Sequence, residues 1–274
     1  MIEIIERAEV ERILGDPASH VPEAAVPPGA SASPLTRFRA DVSRFVNGAA
    51  HDARRARLDD LLDGVDPAAL AGAARVRARA GTPTWHIPVE VLAEAIGFDD
   101  VDGLPLLAAT VAAAYPTGES SDRDAADAAV SALLDASGST DPGERALRVQ
   151  LLVQAHTATT TLVERALALA RSQDPAVSTR TLLESVLRDD SPVPVTRRLV
   201  PARFGGDESL VTLRLDGPDR EATDDRPARI LAFGAGHRAC PAPHHALAIA
   251  AAIVEAMRAG GRRDEEIPRD ADHH

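Results

Sequence analysis

Residues 231–254 read LAFGAGHRACPAPHHALAIAAAIV and hold the one cysteine of a 274-residue chain. Gly234 and Gly236 precede it, and glycine lets backbone turn tightly or approach a flat ligand closely. Pro241 suits the first turn of a helix, which makes Cys240 the expected N-cap of the final helix. Free N–H groups and the helix dipole at such a position favour a thiolate, and Arg238 adds positive charge nearby. A poised thiolate with no second cysteine points to a nucleophile or a metal ligand. A buried structural cysteine is the alternative.

The rest of the composition narrows the class. A chain of 274 residues allows one large domain or two small ones. A hydrophobic share of 45% with 26% charged residues is that of a soluble globular protein. Aromatics at 3% argue against a platform that stacks single-stranded bases. A net charge of −12 argues against a general binder of phosphate backbones. One cysteine excludes a disulfide framework and a Cys-rich zinc site, and no histidine spacing supplies a zinc triad. There is no apolar run long enough to span a membrane, and the start MIEIIERAEV is charged, so a cytoplasmic protein without membrane segments is expected. All 30 basic residues are arginine, which with the alanine content reads as high-GC bacterial bias.

Ala, Leu and Arg recur at helical spacing. Helices are expected over 2–14, 49–62, 67–80, 88–96, 104–114, 124–136, 142–171 and 178–189, and from Cys240 to about Gly260. Residues 20–34 read as an irregular loop, and 209–215 (SLVTLRL) is the best strand candidate. Asp141, Pro142 and Glu144 resemble a capping box, and the helix they open would span about 45 Å. With no repeat and no hinge-like linker, residues 1–261 are expected to form a single domain, followed by a charged, disordered tail over 262–274.

The segment FGAGHRACPA (233–242) resembles the heme-binding loop of the cytochrome P-450 family, Phe-Gly-x-Gly-x-(His/Arg)-x-Cys-x-(Gly/Ala). Phe233, Gly234, Gly236, Arg238, Cys240 and Ala242 match it. The resemblance implies a heme b cofactor with Cys240 as the proximal thiolate on iron, Phe233 beside the sulfur and Arg238 on a propionate. NGAAHDARR looks like the family's His-x-x-x-Arg pair, which would place His51 and Arg55 on propionates; four apart, they share a helix face. SVLRDDSPVPVTRRLV is similar to the family segment around the K-helix arginine, here Arg188, with Arg198 as a further propionate ligand. Arginine is the favoured bidentate partner of carboxylates. LLVQAHTATTTL resembles the distal I helix, with Ala155 and Thr159 in place, and WHIPVEVLAEAIGFDD is similar to the Pro-Val segment before the family's middle helices. The resemblance runs from about residue 2 to 257 and implies a compact, mainly α fold with a small residual β region.

Three departures stand out. The chain is short before His51, between residues 99 and 141, and over the 34 residues between Arg198 and Phe233, so a trimmed substrate cover and β region are expected. Ser185 occupies the acid position of the K helix, while Glu184 lies four before Arg188 on the same face. On the I helix His156 replaces Gly and Ala158 replaces the acid, which removes half of the usual proton relay; Thr159, Thr160 or water are candidates to replace it. His156 then has several readings: an iron ligand, a donor to bound oxygen, an acid–base for peroxide, or a ring turned toward a neighbour. His244 and His245 are expected near the surface, and His237 fills a variable loop position.

The implied function is a monooxygenase-type oxidoreductase acting on a small organic molecule in bacterial specialised metabolism, with Cys240 aiding O–O cleavage. Electrons would come from a ferredoxin-type partner, with Arg44, Arg54 and Arg57 as docking residues. Beside it stand a peroxide-dependent or non-oxygenating heme enzyme, a non-catalytic heme carrier, sensor or partner subunit, and a heme-free relic. Residue patterns leave the substrate and the oligomeric state open.

Overall fold

The computed structural model describes residues 2–24, 26, 32–201, 208–216 and 230–265. In chain order the elements are β1 (Ile2–Ile4), α1 (Arg7–Gly15), α2 (Pro34–Asp41), α3 (Gly48–Asp63), α4 (Pro67–Arg79), α5 (Ile87–Ala95), α6 (Leu104–Ala114), α7 (Arg123–Asp135), α8 (Pro142–Ala170), α9 (Thr179–Asp189), β2 (Val195–Val200), β3 (Ser209–Arg214) and α10 (Pro243–Glu265). Short 3-10 turns cover Ser43–Phe45 and Gly236–Arg238. Helix starts follow side-chain chemistry: Glu6, Ser33, Asp66, Asp122, Asp141 and Ser178 each accept first-turn backbone N–H groups.

Helix α8 is the axis of the molecule. Residues Val149 through Val153 are buried without a break, so neighbours cover it on every side. Those neighbours include α3, α5, α6, α9 and α10. The most extensive helix–helix interface joins α4 to α10, where Leu70, Ala74 and Ala78 face a stretch containing Ile249, Ala250 and Ile253. A buried polar link ties α8 to the turn before α3: Gln150 Oε1 accepts from the Ser43 N–H at 2.8 Å, and its Nε2 donates to Ser43 Oγ at 2.8 Å.

The β region is one three-stranded sheet in the order β1-β3-β2. β1 runs parallel to β3, with Glu3 opposite Thr212, and β2 runs antiparallel, with Arg198 opposite Val211. Val10, Ile13 and Leu14 of α1 cover the sheet against Val211, Leu213, Leu215 and Leu231, forming a second core apart from the helical one. This second core brings the C-terminus of α1 to the cysteine loop.

The mainly helical fold with a small sheet agrees with the sequence-based expectation. Several boundaries do not. The span 2–14 divides into β1 and α1, because Ile2–Ile4 finds a parallel partner in β3. Helix α2 follows the Pro/Ser-rich loop, capped by Ser33. VTRRLV is a strand beyond the one expected at 209–215. The capping box at α8 is half made: Asp141 Oδ1 accepts from Gly143 and Glu144, but Glu144 pairs with Arg148 at 2.6 Å. The final helix starts at Pro243, and the Ala246 N–H bonds the Ala242 carbonyl, so Cys240 precedes the helix instead of capping it. That helix continues beyond Gly260 to Glu265, while the rest of the expected tail, with His273 and His274, lies outside the described residues. Part of the 20–34 loop lies outside them too. Among the described residues no helix is long and apolar enough to cross a membrane.

Candidate functional site

The cysteine loop is a tight hairpin closed by backbone. The Cys240 N–H donates to the Phe233 carbonyl at 2.7 Å, and the Gly234 N–H to Leu231 at 2.8 Å. Gly234 and Gly236 sit at φ 69° and 68°, where a Cβ is strained. Gly236 is doubly required, because a Cβ there would lie 2.5 Å from the Leu14 carbonyl oxygen at the end of α1. Cys240 Sγ accepts the Ala242 N–H at 3.4 Å. Burial pushes the thiol above its ordinary range, partly opposed by that N–H and by Arg55. Phe233 and Ala242 pack against the helical core.

Basic side chains from three elements converge on this loop. Arg55, on α3, donates to the Ala239 carbonyl at 2.5 Å and to Asp59 one turn along. His51, one turn earlier and 5% exposed, stands edge-on to His237 with ring centroids 5.7 Å apart. Burial lowers the His51 pKa, partly countered by Asp52, its Nδ1 partner at 3.1 Å. Arg238 donates to Val46 O at 2.6 Å and Asn47 Oδ1 at 2.8 Å. Its Nε is shielded from solvent and has no partner. Arg198, on β2 and 7% exposed, donates only to Thr196 Oγ1 and the Arg197 carbonyl among the described residues. Burial, then Arg238 and Arg44, push its pKa down to about 10. Neither Arg198 nor Arg238 has a carboxylate partner among the described residues.

This donor set fits the cofactor that the sequence resemblance implies. A buried guanidinium without a paired carboxylate, as at Arg198, is costly unless something anionic meets it, while the half-buried Arg238 feels only the more distant Asp52 and Glu23. Arg198, Arg238 and His51 would hold the propionates, with Arg55 bracing the loop, and Cys240 would supply a sulfur ligand.

On α8, Thr159 is 3% exposed and Thr160 is also buried, with its hydroxyl unpartnered. The His156 ring stands edge-on to Trp85 at 6.2 Å, and both ring nitrogens are shielded and unpartnered. Of the readings left open for His156, this is the ring turned toward a neighbouring element.

Other sequence-based expectations are corrected. Arg188 donates to Asp189, and Glu184 takes Arg180, so Glu184 does not replace the K-helix acid. Arg54 donates to the carbonyls of Ala40 and Val42, and Arg57 forms a surface ion pair with Asp141 at 2.8 Å. Arg44 remains exposed beside the rings of Phe45 and Tyr115. His244 is exposed, but His245 turns inward to the Val65 carbonyl at 2.9 Å.

Two members of the site carry no motif signal. His237 occupies a variable loop position yet faces His51. Asn47 reads as a helix opener, but its side chain binds Arg238 and both backbone groups of Val21, which explains why it caps nothing. Its position four residues before His51 is the one hint the sequence holds.

No protein-family model matches the chain, and no curated protein does. Solved structures do match. P450BioI, in complex with a fatty-acyl acyl carrier protein, aligns over 91% of this chain and 82% of its own, at a TM-score of 0.68 and 16% identity. A thermophilic cytochrome P-450 from Sulfolobus tokodaii aligns over 92% and 84%, at 0.64 and 15% identity. CYP164A2 from Mycobacterium smegmatis aligns over 94% and 82%, at 0.55 and 22% identity. The helix order, the small sheet and these alignments agree: the chain has the cytochrome P-450 fold in shortened form.

Proposed function

We propose that the chain is a heme-thiolate oxidoreductase of the cytochrome P-450 type, acting on a small organic molecule. The observation that carries this reading is the buried Arg198 and the half-buried Arg238, neither with a carboxylate in hydrogen-bond reach among the described residues, beside the hairpin that presents Cys240. When bound, heme b would supply an iron centre able to activate oxygen or peroxide, with Cys240 as the residue that would hold the iron. Arg198 and Arg238 would neutralise the cofactor carboxylates, and His51, its pKa lowered by burial, would orient them by hydrogen bonding. Arg55 holds the loop through Ala239, and the Ala242 N–H stabilises negative charge on the Cys240 sulfur. Thr159 supplies a hydroxyl on α8.

Reductive, oxygen-dependent turnover requires a redox partner, and an iron–sulfur protein of ferredoxin type fits that need. The acylated carrier protein bound to P450BioI makes a carrier-bound acyl chain one substrate form worth testing. Ala158, at the position of the relay acid, favours a second reading in which peroxide is the oxidant and no reductase is needed.

The test is a titration of the purified chain with hemin, followed by reduction under carbon monoxide. A thiolate-type Soret band that is lost in Cys240→Ser supports the reading. Stoichiometric hemin binding without that band overturns it. Turnover driven by peroxide but not by reductase selects the second reading.

A further inference from the structure

Three shielded polar atoms on one face of α8 have no partner in the fold: Nδ1 and Nε2 of His156 and Oγ1 of Thr160. The two residues are four apart, so their side chains are neighbours one turn apart along the helix. Buried polar groups are almost always paired, and exceptions mark a bound water or a functional demand. A site with an imidazole and an alcohol on one wall offers the polar partners that a buried water requires.

Titratable groups that reach solvent lie near this spot. Trp85 stands edge-on to His156 at 6.2 Å and edge-on to His86 at 4.0 Å, so the indole bridges the two histidines. His86 Nδ1 lies 3.3 Å from Glu90 Oε1, and both side chains are part exposed. Arg77 holds the same carboxylate at 3.2 Å. His86 is also the one titratable group whose charge is felt at His156, beyond the effect of burial. An imidazole near neutrality can accept a proton on one nitrogen and release one from the other.

We propose that His156 and Thr160 form a proton relay on α8, fed from solvent by His86 and Glu90 through bridging water, in place of the acid missing at Ala158. It rests on the heme-thiolate reading for its purpose, though not for its existence. Protons only are transferred. Glu90 and His86 take one from solvent, His156 accepts one on the ring nitrogen facing them and releases one from the other, and the Thr160 hydroxyl passes it on. Glu90, His86 and Thr160 end as they began, His156 ends as its other tautomer and is reset by proton exchange with the bridging water, and no electrons move. His156 is the proton carrier, Thr160 the exit, and Trp85 a positioning residue that keeps the imidazoles in register.

The existence of the relay is tested on the full chain with histidine ring nitrogens labelled, followed by NMR against pH. His156 is expected to titrate, with a midpoint that rises in His86→Gln because a like charge is removed. In Thr160→Val its ring N–H is expected to exchange with water at least tenfold more slowly. A His156 ring that does not titrate between pH 4 and 9, or whose midpoint ignores His86→Gln, overturns the proposal.

Its purpose is tested in hemin-loaded protein. His156→Gln is expected to slow turnover about 100-fold, in the range for a lost general acid–base, with the carbon monoxide spectrum unchanged. Full turnover in both His156→Gln and Thr160→Val also overturns the proposal. Absence of the thiolate spectrum in the wild type sinks the heme reading instead, and the NMR result then decides the relay alone.

Discussion

Replacing Arg198 by methionine should stabilise the heme-free protein while weakening its grip on hemin. Arg198 is 7% exposed and lacks a counter-ion among the described residues. Its pKa falls from the ordinary arginine range to about 10, chiefly through burial. Holding that charged form in the fold therefore costs about 3 kcal/mol, at roughly 1.4 kcal/mol per tenfold change in proton affinity. Two hydrogen bonds from the guanidinium to neutral acceptors one and two residues away in sequence, Arg197 O and Thr196 Oγ1, return about 1 kcal/mol each. Removing the guanidinium should leave a net gain of about 1 kcal/mol, roughly fivefold in the folding equilibrium. The folded-state pKa is depressed, so the penalty applies at every pH below about 10 and is relieved only as pH rises from there toward the ordinary arginine range. The gain should thus be the same at pH 7 and pH 9. Urea unfolding of the heme-free chain measures it, with exposed Arg197→Met as the control for net charge. Hemin affinity, read from the Soret band, should fall roughly 10- to 100-fold in Arg198→Met, the value of one charge-assisted contact. A heme-free variant less stable than wild type by 1 kcal/mol or more, or one that binds hemin as tightly, would refute the reasoning.

Further expectations concern the loop, the acid limb and the core. Gly234→Ala should cost about 1–2 kcal/mol for its left-handed backbone alone, since its nearest neighbour would be 3.7 Å away. Gly236→Ala should cost about 1–3 kcal/mol more, because the new Cβ meets the Leu14 carbonyl; equal urea midpoints for the two variants would contradict the packing of the loop on α1. His51 and His156 both have pKa values lowered by burial, so the fold binds fewer protons than the unfolded chain. Stability should accordingly fall as pH drops below the ordinary histidine value, and His51→Gln with His156→Gln should flatten that limb of a urea-against-pH series. Gln150→Leu strands the buried Ser43 N–H and should lower stability by about 1–3 kcal/mol in urea unfolding; no change would mean the link between α8 and the turn before α3 is dispensable.

What can be read from residue order is chemistry confined to one loop or one helix face. FGAGHRAC is legible because a hairpin presenting a sulfur needs residues that tolerate positive φ at fixed offsets, and both glycines have it. His51 and Arg55 are legible because a helix repeats every turn. Strand β1 is not: three residues, IEI, carry too little pattern, and their partner β3 is about two hundred residues away. Nor is β2, since Arg197 and Arg198 look polar until antiparallel pairing buries one and exposes the other. His245 and Arg54 look like surface charge because nothing local shows the carbonyls of Val65, Ala40 and Val42 waiting across the fold.

The amino-acid order of this chain determines the helices, the cysteine hairpin and the identity of the basic groups meant for it, because each depends on residues within a few positions of one another. The tertiary structure alone decides which of those groups keep a free charge. Asp59 claims part of Arg55, Asp141 claims Arg57, and backbone carbonyls claim Arg54, while buried Arg198 and half-buried Arg238 have no hydrogen-bonded carboxylate among the described residues. It also decides that His156 looks toward Trp85 and His86. Partners brought together across a hundred residues compete for each charge, and the winner depends on distance and burial, which no local pattern contains.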